Sequence, residues 1–194
     1  MPYTPEHKAR TRERIVESAR MLFNRWGFEQ VSIDQIMAGA KLTRGGFYNH
    51  FTSKDELYAA AISSYQTCNP LAVKLRKAKA PRIQAREVAR TLIALYLSDE
   101  VLQTVDMHCP LYALPADVAR AGLTPQRAYT DLLRGMLLVF GAALLGARDA
   151  DQRAQAILSL CVGGMVLART TNDPALRKSL RAAARQQALA LLDQ

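Results

Sequence analysis

An all-α fold in two parts is predicted by this 194-residue sequence, with a small N-terminal helix-turn-helix unit ahead of a larger helical body. Three observations carry the prediction. Apolar residues recur at helical spacing along nearly the whole chain, and no run shows the period-two alternation of a half-buried strand. Helix-start signals recur, with Thr4-Pro5 and the pairs Ser32/Gln35 and Ser53/Glu56 each three apart. A tight turn around Gly39 to Leu42 separates two short helices early in the chain, which is helix-turn-helix spacing.

The elements follow in order. Thr4 caps a first helix with Pro5 at its first position, and Ile15, Ala19, Leu22, Phe23 and Trp26 fall at helical spacing before Gly27 ends the run. Ser32 opens a second helix with Ile33, Ile36 and Met37 on its apolar face, broken near Gly39. Thr43 caps a third, short helix ending near Phe51. Ser53 then starts a longer helix through Leu57, Ala61, Ile62 and Tyr65. Residues 1–52 are expected to form the DNA-binding unit, with its motif at about 32–51, and 53–194 the body.

In the body, the basic stretch Arg76 to Arg82, broken by Pro81, reads as a connector. "IQAREVARTLIALYL" makes one amphipathic helix, and Ser98-Asp99-Glu100 starts another. "MHCPLYALPADVARAGLTP" is broken by prolines and Gly122 into short helical pieces. From Thr124-Pro125 a central helix runs through Leu132, Leu133, Met136, Leu137 and Phe140, apolar on most sides. Two more helices are expected, roughly 151–171 and 174–192.

Composition narrows the function classes. Hydrophobic residues make up 49% and charged residues 22%, ordinary for a globular protein. The 26 Lys+Arg against 17 Asp+Glu give +9, which favours a polyanionic partner. Cys68, Cys109 and Cys161 are odd in number and widely spaced, so neither a disulfide framework nor a zinc site is expected. The charged N-terminus has no apolar signal core, and "LLRGMLLVFGAALLGA" is too short and interrupted for a membrane span. A cytoplasmic protein without membrane contact, metal or cofactor is expected. A cysteine enzyme using Cys109 with His108 or His7 is disfavoured, because adjacent helical residues do not face one another and no orienting acid is visible.

The chemistry concentrates in "KLTRGGFYNHFTSKDEL". Gly45 and Gly46 stand inside a helical segment, where each costs about 1 kcal/mol relative to alanine. Absent side chains let the backbone approach a DNA groove and leave early N–H groups able to face a phosphate. Arg44 can read guanine bidentately or grip a phosphate. Tyr48, His50 and Lys54 suit phosphate oxygens on the outward side. Phe47 and Phe51, four apart, share an inward face against Ile15, Leu22, Ile36 and Leu42.

"SIDQIMAGAKLTRGGFYNHFTSKDEL" resembles the DNA-binding region of the TetR/AcrR family of bacterial transcriptional regulators. The likeness lies in the apolar positions, the Thr-Arg-Gly entry to the third helix and the aromatic-Tyr-x-His-Phe ending before Lys-Asp-Glu-Leu. "RERIVESARMLFNRWGFEQVS" is similar to that family's first helix. The resemblance covers about the first 60 residues. It implies DNA contacts from Ser32, Thr43, Arg44, Gly45, Tyr48, His50 and Lys54. Asn49 replaces the tyrosine or histidine often found at its position, leaving its role open between base and phosphate. Lys8, Arg10, Arg12 and Arg14 form a basic arm, open between phosphate contact and a solvated helix start.

The same resemblance implies a homodimer on a near-palindromic double-stranded DNA operator, joined through the last two helices, and a small-molecule effector in the body. Gly163-Gly164 offers close helix approach there. Leu176, Leu180, Ala183 and Leu191 make an apolar stripe opposite Arg177, Lys178, Arg181 and Arg185; intramolecular packing is the alternative. For the sensor, Met107, Cys109, Tyr112, Met136 and Phe140 are the candidates. "CPLYAL" resembles a Gly-Cys-Pro-Leu-x-Ala-Leu stretch of one subgroup, with His108 in place of the glycine. Cys109 is therefore open between a buried hydrophobe and an electrophile-sensing thiol. The regulator expected is a repressor released by its ligand, with a thiol-sensing repressor and a sequence-independent DNA-binding protein as alternatives.

Overall fold

The structure, a computed structural model, describes residues 4–69 and 84–194, so the basic connector at 76–82 lies outside the described residues. The first two helices and the short turn after them pack together. Helix α1 (Pro5–Gln30) starts where Thr4 Oγ1 accepts from His7 N–H at 3.2 Å. It kinks at Gly27, whose φ of 77° is left-handed. The kink frees the Phe28 N–H, which the Asp117 carboxylate accepts at 3.3 Å.

Helix α2 (Ile33–Gly39) opens on a complete capping box: Gln35 N–H donates to Ser32 Oγ, and Ser32 N–H donates to the Gln35 side chain at 2.7 Å. Its exit differs from the sequence expectation. Lys41, not a glycine, takes the left-handed conformation with φ 57°, while Leu42 N–H closes back onto Met37 O at 2.9 Å. Gly39 answers to packing instead. A Cβ there would sit 2.4 Å from Ser18 Oγ, which donates to Ile36 O at 2.8 Å. Helices α1 and α2 touch closely because residue 39 has no side chain.

The third element is a 3₁₀ turn, Arg44–Asn49, without a side-chain bond from Thr43. Phe47 and Phe51 are fully buried with ring centroids 5.9 Å apart, as their spacing predicts. Helix α3 (Lys54–Cys68) begins at Ser53, whose Oγ accepts from Glu56 N–H. The reciprocal half of the expected box is shifted by one residue: Glu56 accepts from the Thr52 N–H and hydroxyl, each at 2.7 Å. Those bonds are the first cause holding its carboxyl below the ordinary range.

The body comprises α4 (Ala85–Tyr96), α5 (Asp99–Gln103), a 3₁₀ turn (Val105–Met107), α6 (Pro110–Ala113), α7 (Pro115–Arg120), α8 (Leu123–Ala143), α9 (Ala150–Thr170) and α10 (Pro174–Asp193). The short pieces between 99 and 120 are those the prolines predict. Helix α8 packs on α3, α4 and α9, and α9 runs along α10. One apolar core runs through both parts, joined by Phe23, Phe28 and Tyr58, whose ring centroids lie 4.6–5.8 Å apart. Trp26 leaves the predicted apolar face and is exposed, because the kink follows it directly.

Two expectations for the last helices are corrected. Gly164 supplies an intramolecular approach, since a Cβ would lie 2.7 Å from Ala184 Cβ on α10; Gly163 faces open space. Arg181 is buried, not on the solvent side: it donates to Leu97 O at 2.9 Å and pairs with Asp99. Leu176 and Ala183 are exposed, and Leu180 and Leu191 half-buried, so the apolar stripe does face outward.

Candidate nucleic-acid interface and effector cavity

The turn Arg44–Asn49 lies on the surface with Thr43, Arg44, Gly45, Tyr48 and Asn49 exposed and Phe47 anchoring it from below. A Cβ at Gly45 would meet nothing within 4 Å, and one at Gly46 only Met37 Cε at 3.6 Å. The fold itself therefore makes no steric demand for glycine at 45.

Arg44 reaches back to Asp34 at 2.9 Å, with both side chains more than half exposed. So exposed a pair is worth at most about 1 kcal/mol and exchanges readily for a phosphate or a base edge. Ser32 is exposed at the start of α2, its hydroxyl engaged in the capping box. The Gly46 N–H donates to Thr43 O at 3.1 Å, so it does not stand ready for a phosphate as the helical reading expects.

His50 sits between the start of α1 and the turn, in a groove lined by His7, Lys8, Thr11, Thr43, Gly46 and Asn49. Its Nδ1 is buried without a hydrogen-bond partner. Partial burial, then the charges of Lys8, Arg12 and His7, lower its pKa. An imidazole among cations gains most from an anion. Lys54 departs from the outward reading. Its ammonium donates to Phe28 O at 2.5 Å and lies 4.2 Å from the Phe28 ring centroid, fixing the start of α3 to the end of α1. In the basic arm, Arg12 stacks 4.6 Å from the Phe51 centroid and Arg14 caps α2 through Ala40 O. Lys8 and Arg10 remain exposed.

The body holds a cavity of about 270 Å³ lined by Tyr65, Gln66 and Asn69 of α3 and its end, Leu92, Leu95 and Tyr96 of α4, Val101, and Leu132, Gly135, Met136 and Val139 of α8. Of the five sensor candidates, Met136 alone is among these. Tyr112 stands behind the wall, edge-on to Tyr96 at 5.4 Å. Cys109 is fully buried beside the Tyr65 and Tyr96 hydroxyls. Phe140 fills the core. Met107 lies against α1, 3.8 Å from the Arg20 guanidinium. Among the described residues no group of His, Cys, Asp or Glu could hold a metal, and no helix is long and apolar enough to cross a membrane.

Residues 15–61 match the family described as bacterial regulatory proteins, tetR family. Over that stretch the chain is similar to the TetR family. The Transposon Tn10 TetC protein of Escherichia coli is 46% identical over 50 residues, 26% of this chain and 25% of that protein. The match thus spans about a quarter of that relative's length. Likeness across the whole chain is one of fold. A TetR transcriptional regulator from Chloroflexus aurantiacus has a TM-score of 0.75 at 21% identity, covering 97% of each chain. Escherichia coli NemR in its reduced form has a TM-score of 0.74 at 18% identity, covering 94% of this chain and 97% of that one.

Burial pushes the Cys109 thiol up to about 12, outweighing the hydroxyls of Tyr96 and Tyr65 that act the other way. That environment opposes the thiolate a sensor needs. Sequence reasoning passed over Tyr65, Tyr96 and Gly135 as cavity residues. The signal available was Gly135, a glycine within the most apolar helix.

Proposed function

We propose that this chain is a homodimeric transcriptional repressor whose affinity for a near-palindromic DNA operator is lowered by a small molecule in the body. The observation that carries this is the double duty of α3. One end is fastened to the DNA-binding unit through Lys54 and Phe28, and the other end forms a cavity wall through Tyr65, Gln66 and Asn69. A ligand that changes the tilt of α3 changes the position of the exposed turn. Residues 1–52 act as the DNA-binding unit and 53–194 as the body. Arg44, Gly45, Tyr48, Asn49 and His50 meet DNA, with Thr43 and Ser32 on phosphates; Lys54 positions them.

Pairing through α9 and α10 supplies the second turn. Ser159, Gly163 and Leu167 on α9 and Leu176 and Ala183 on α10 face outward as small or apolar residues. A twofold pair sets two such turns about 34 Å apart, one DNA turn. The placement is cytoplasmic, where its operator lies, and the activity is binding without catalysis, in keeping with relatives named as regulators.

The test is a binding titration of the purified protein against the inverted repeats upstream of its own gene and against scrambled duplexes. Preference for one repeat by about 10³-fold or more is expected of a regulator. Equal affinity for every duplex, with one shared salt slope, would instead mark a sequence-independent DNA-binding protein.

A further inference from the structure

We infer that the cavity takes a neutral, largely apolar ligand of about two fused rings, and that Gly135 is the residue that keeps the space open for it. This rests on the reading of the body as an effector site.

The residues lining the cavity decide the chemistry. Tyr65 and Tyr96 present aromatic rings, and Leu92, Leu95, Val101, Leu132, Met136 and Val139 supply aliphatic wall; none of the described lining residues is charged. The polar side chains are the amides Gln66 and Asn69, and the Asn69 amide nitrogen already donates to Tyr65 O and Gln66 O. The Tyr96 hydroxyl is buried beside Cys109, where no solvent reaches it. Among the described residues a buried ammonium or carboxylate on the ligand would thus find no counter-charge, and an unpaired buried charge is strongly penalised.

Size follows from the volume. An apolar cavity of about 150 Å³ accommodates benzene, so the 270 Å³ here suits roughly twice that, a fused bicyclic frame.

Gly135 supplies the second observation. It lies inside α8, where glycine costs the helix about 1 kcal/mol relative to alanine. Its backbone needs no left-handed conformation, and a Cβ would meet nothing within 4 Å. Neither turn geometry nor helix packing explains it. The space a side chain would fill is the cavity itself.

The experiment titrates the full chain with 2-naphthol, 2-naphthoate and 2-naphthylmethylammonium by calorimetry and by quenching of probe fluorescence. The neutral probe is expected to bind at least about tenfold more tightly than either ion, the least that an unpaired buried charge should produce. Gly135→Leu is expected to weaken 2-naphthol by at least about tenfold by filling the cavity. Gly135→Ala, expected to melt higher, should weaken it less, and keeps the test intact if the leucine variant does not fold. Equal binding of all three probes, no binding of 2-naphthol, or undiminished binding to the folded glycine variants overturns the inference. Operator release is read in a separate titration. A neutral probe that binds with this selectivity but leaves operator occupancy unchanged supports the ligand class while counting against the regulator reading.

Discussion

Gly39→Ala is expected to destabilise the DNA-binding unit even though alanine is the better helix former. The new Cβ lands 2.4 Å from Ser18 Oγ, so that hydroxyl must turn away from Ile36 O. Losing the bond removes about 1 kcal/mol, and a displaced hydroxyl left without a partner in a buried site adds roughly 1–2 kcal/mol. Improved helix propensity returns at most about 1 kcal/mol, less at the last residue of a helix. The net loss is therefore about 1–2 kcal/mol, or roughly 2–8 °C in Tm for a chain of this size. With Ser18→Ala in the background the obstacle is gone. The nearest remaining Ser18 atom, its Cβ, is at 3.6 Å, an ordinary contact. Gly39→Ala should then be neutral or stabilising by up to about 1 kcal/mol. Urea and thermal unfolding of the four proteins gives the coupling directly. An equal cost of Gly39→Ala in both backgrounds would refute the steric account of the α1–α2 approach.

Arg44→Ala is expected to weaken operator binding by about 1–3 kcal/mol and to relax the preference at one base position, read by titration against single-base operator variants. Asp34→Asn, which removes the carboxylate holding Arg44, should strengthen binding to all duplexes, most visibly at low salt. His50 has a folded pKa below its ordinary 6.5, so its contribution to stability is complete above that value and is lost as pH falls below it. A bound phosphate reverses the preference; operator affinity should rise as pH drops below about 6.5, and His50→Gln should flatten that profile in salt-matched titrations. With its thiol pushed up to about 12 by burial, Cys109 should resist iodoacetamide in the native protein while half-buried Cys68 is labelled. Peptide mass spectrometry reads this, and rapid native labelling of Cys109 would restore the electrophile-sensing alternative.

The features that local chemistry dictates were legible in the sequence: the Ser32–Gln35 box, the proline starts, the inward Phe47 and Phe51, and the broken run between 99 and 120. What escaped depends on neighbours distant in the chain. Lys54 reads as an outward cation beside a recognition segment, yet the carbonyl and ring of Phe28, 26 residues away, claim it. Arg181 reads as solvated until Leu97 O is found beside it. The Gly39–Leu42 turn needed a left-handed residue, but glycine was required one contact earlier, opposite Ser18, and Lys41 took the strained conformation. Cavity walls were the least visible, because Tyr65, Tyr96 and Gly135 come together only when three helices pack.

The anchorage of Lys54 on Phe28 has a mechanical consequence. Helix α3 has 15 residues and is about 22 Å long, and its near end is riveted to the kinked end of α1. It works as a lever with a fixed fulcrum. A tilt of about 5° at that joint swings Tyr65, about 16 Å along the helix, by roughly 1.5 Å. On the reading proposed above, a ligand that wedges Tyr65 aside by one bond length would turn the whole reading head as a block, with no unfolding of its parts.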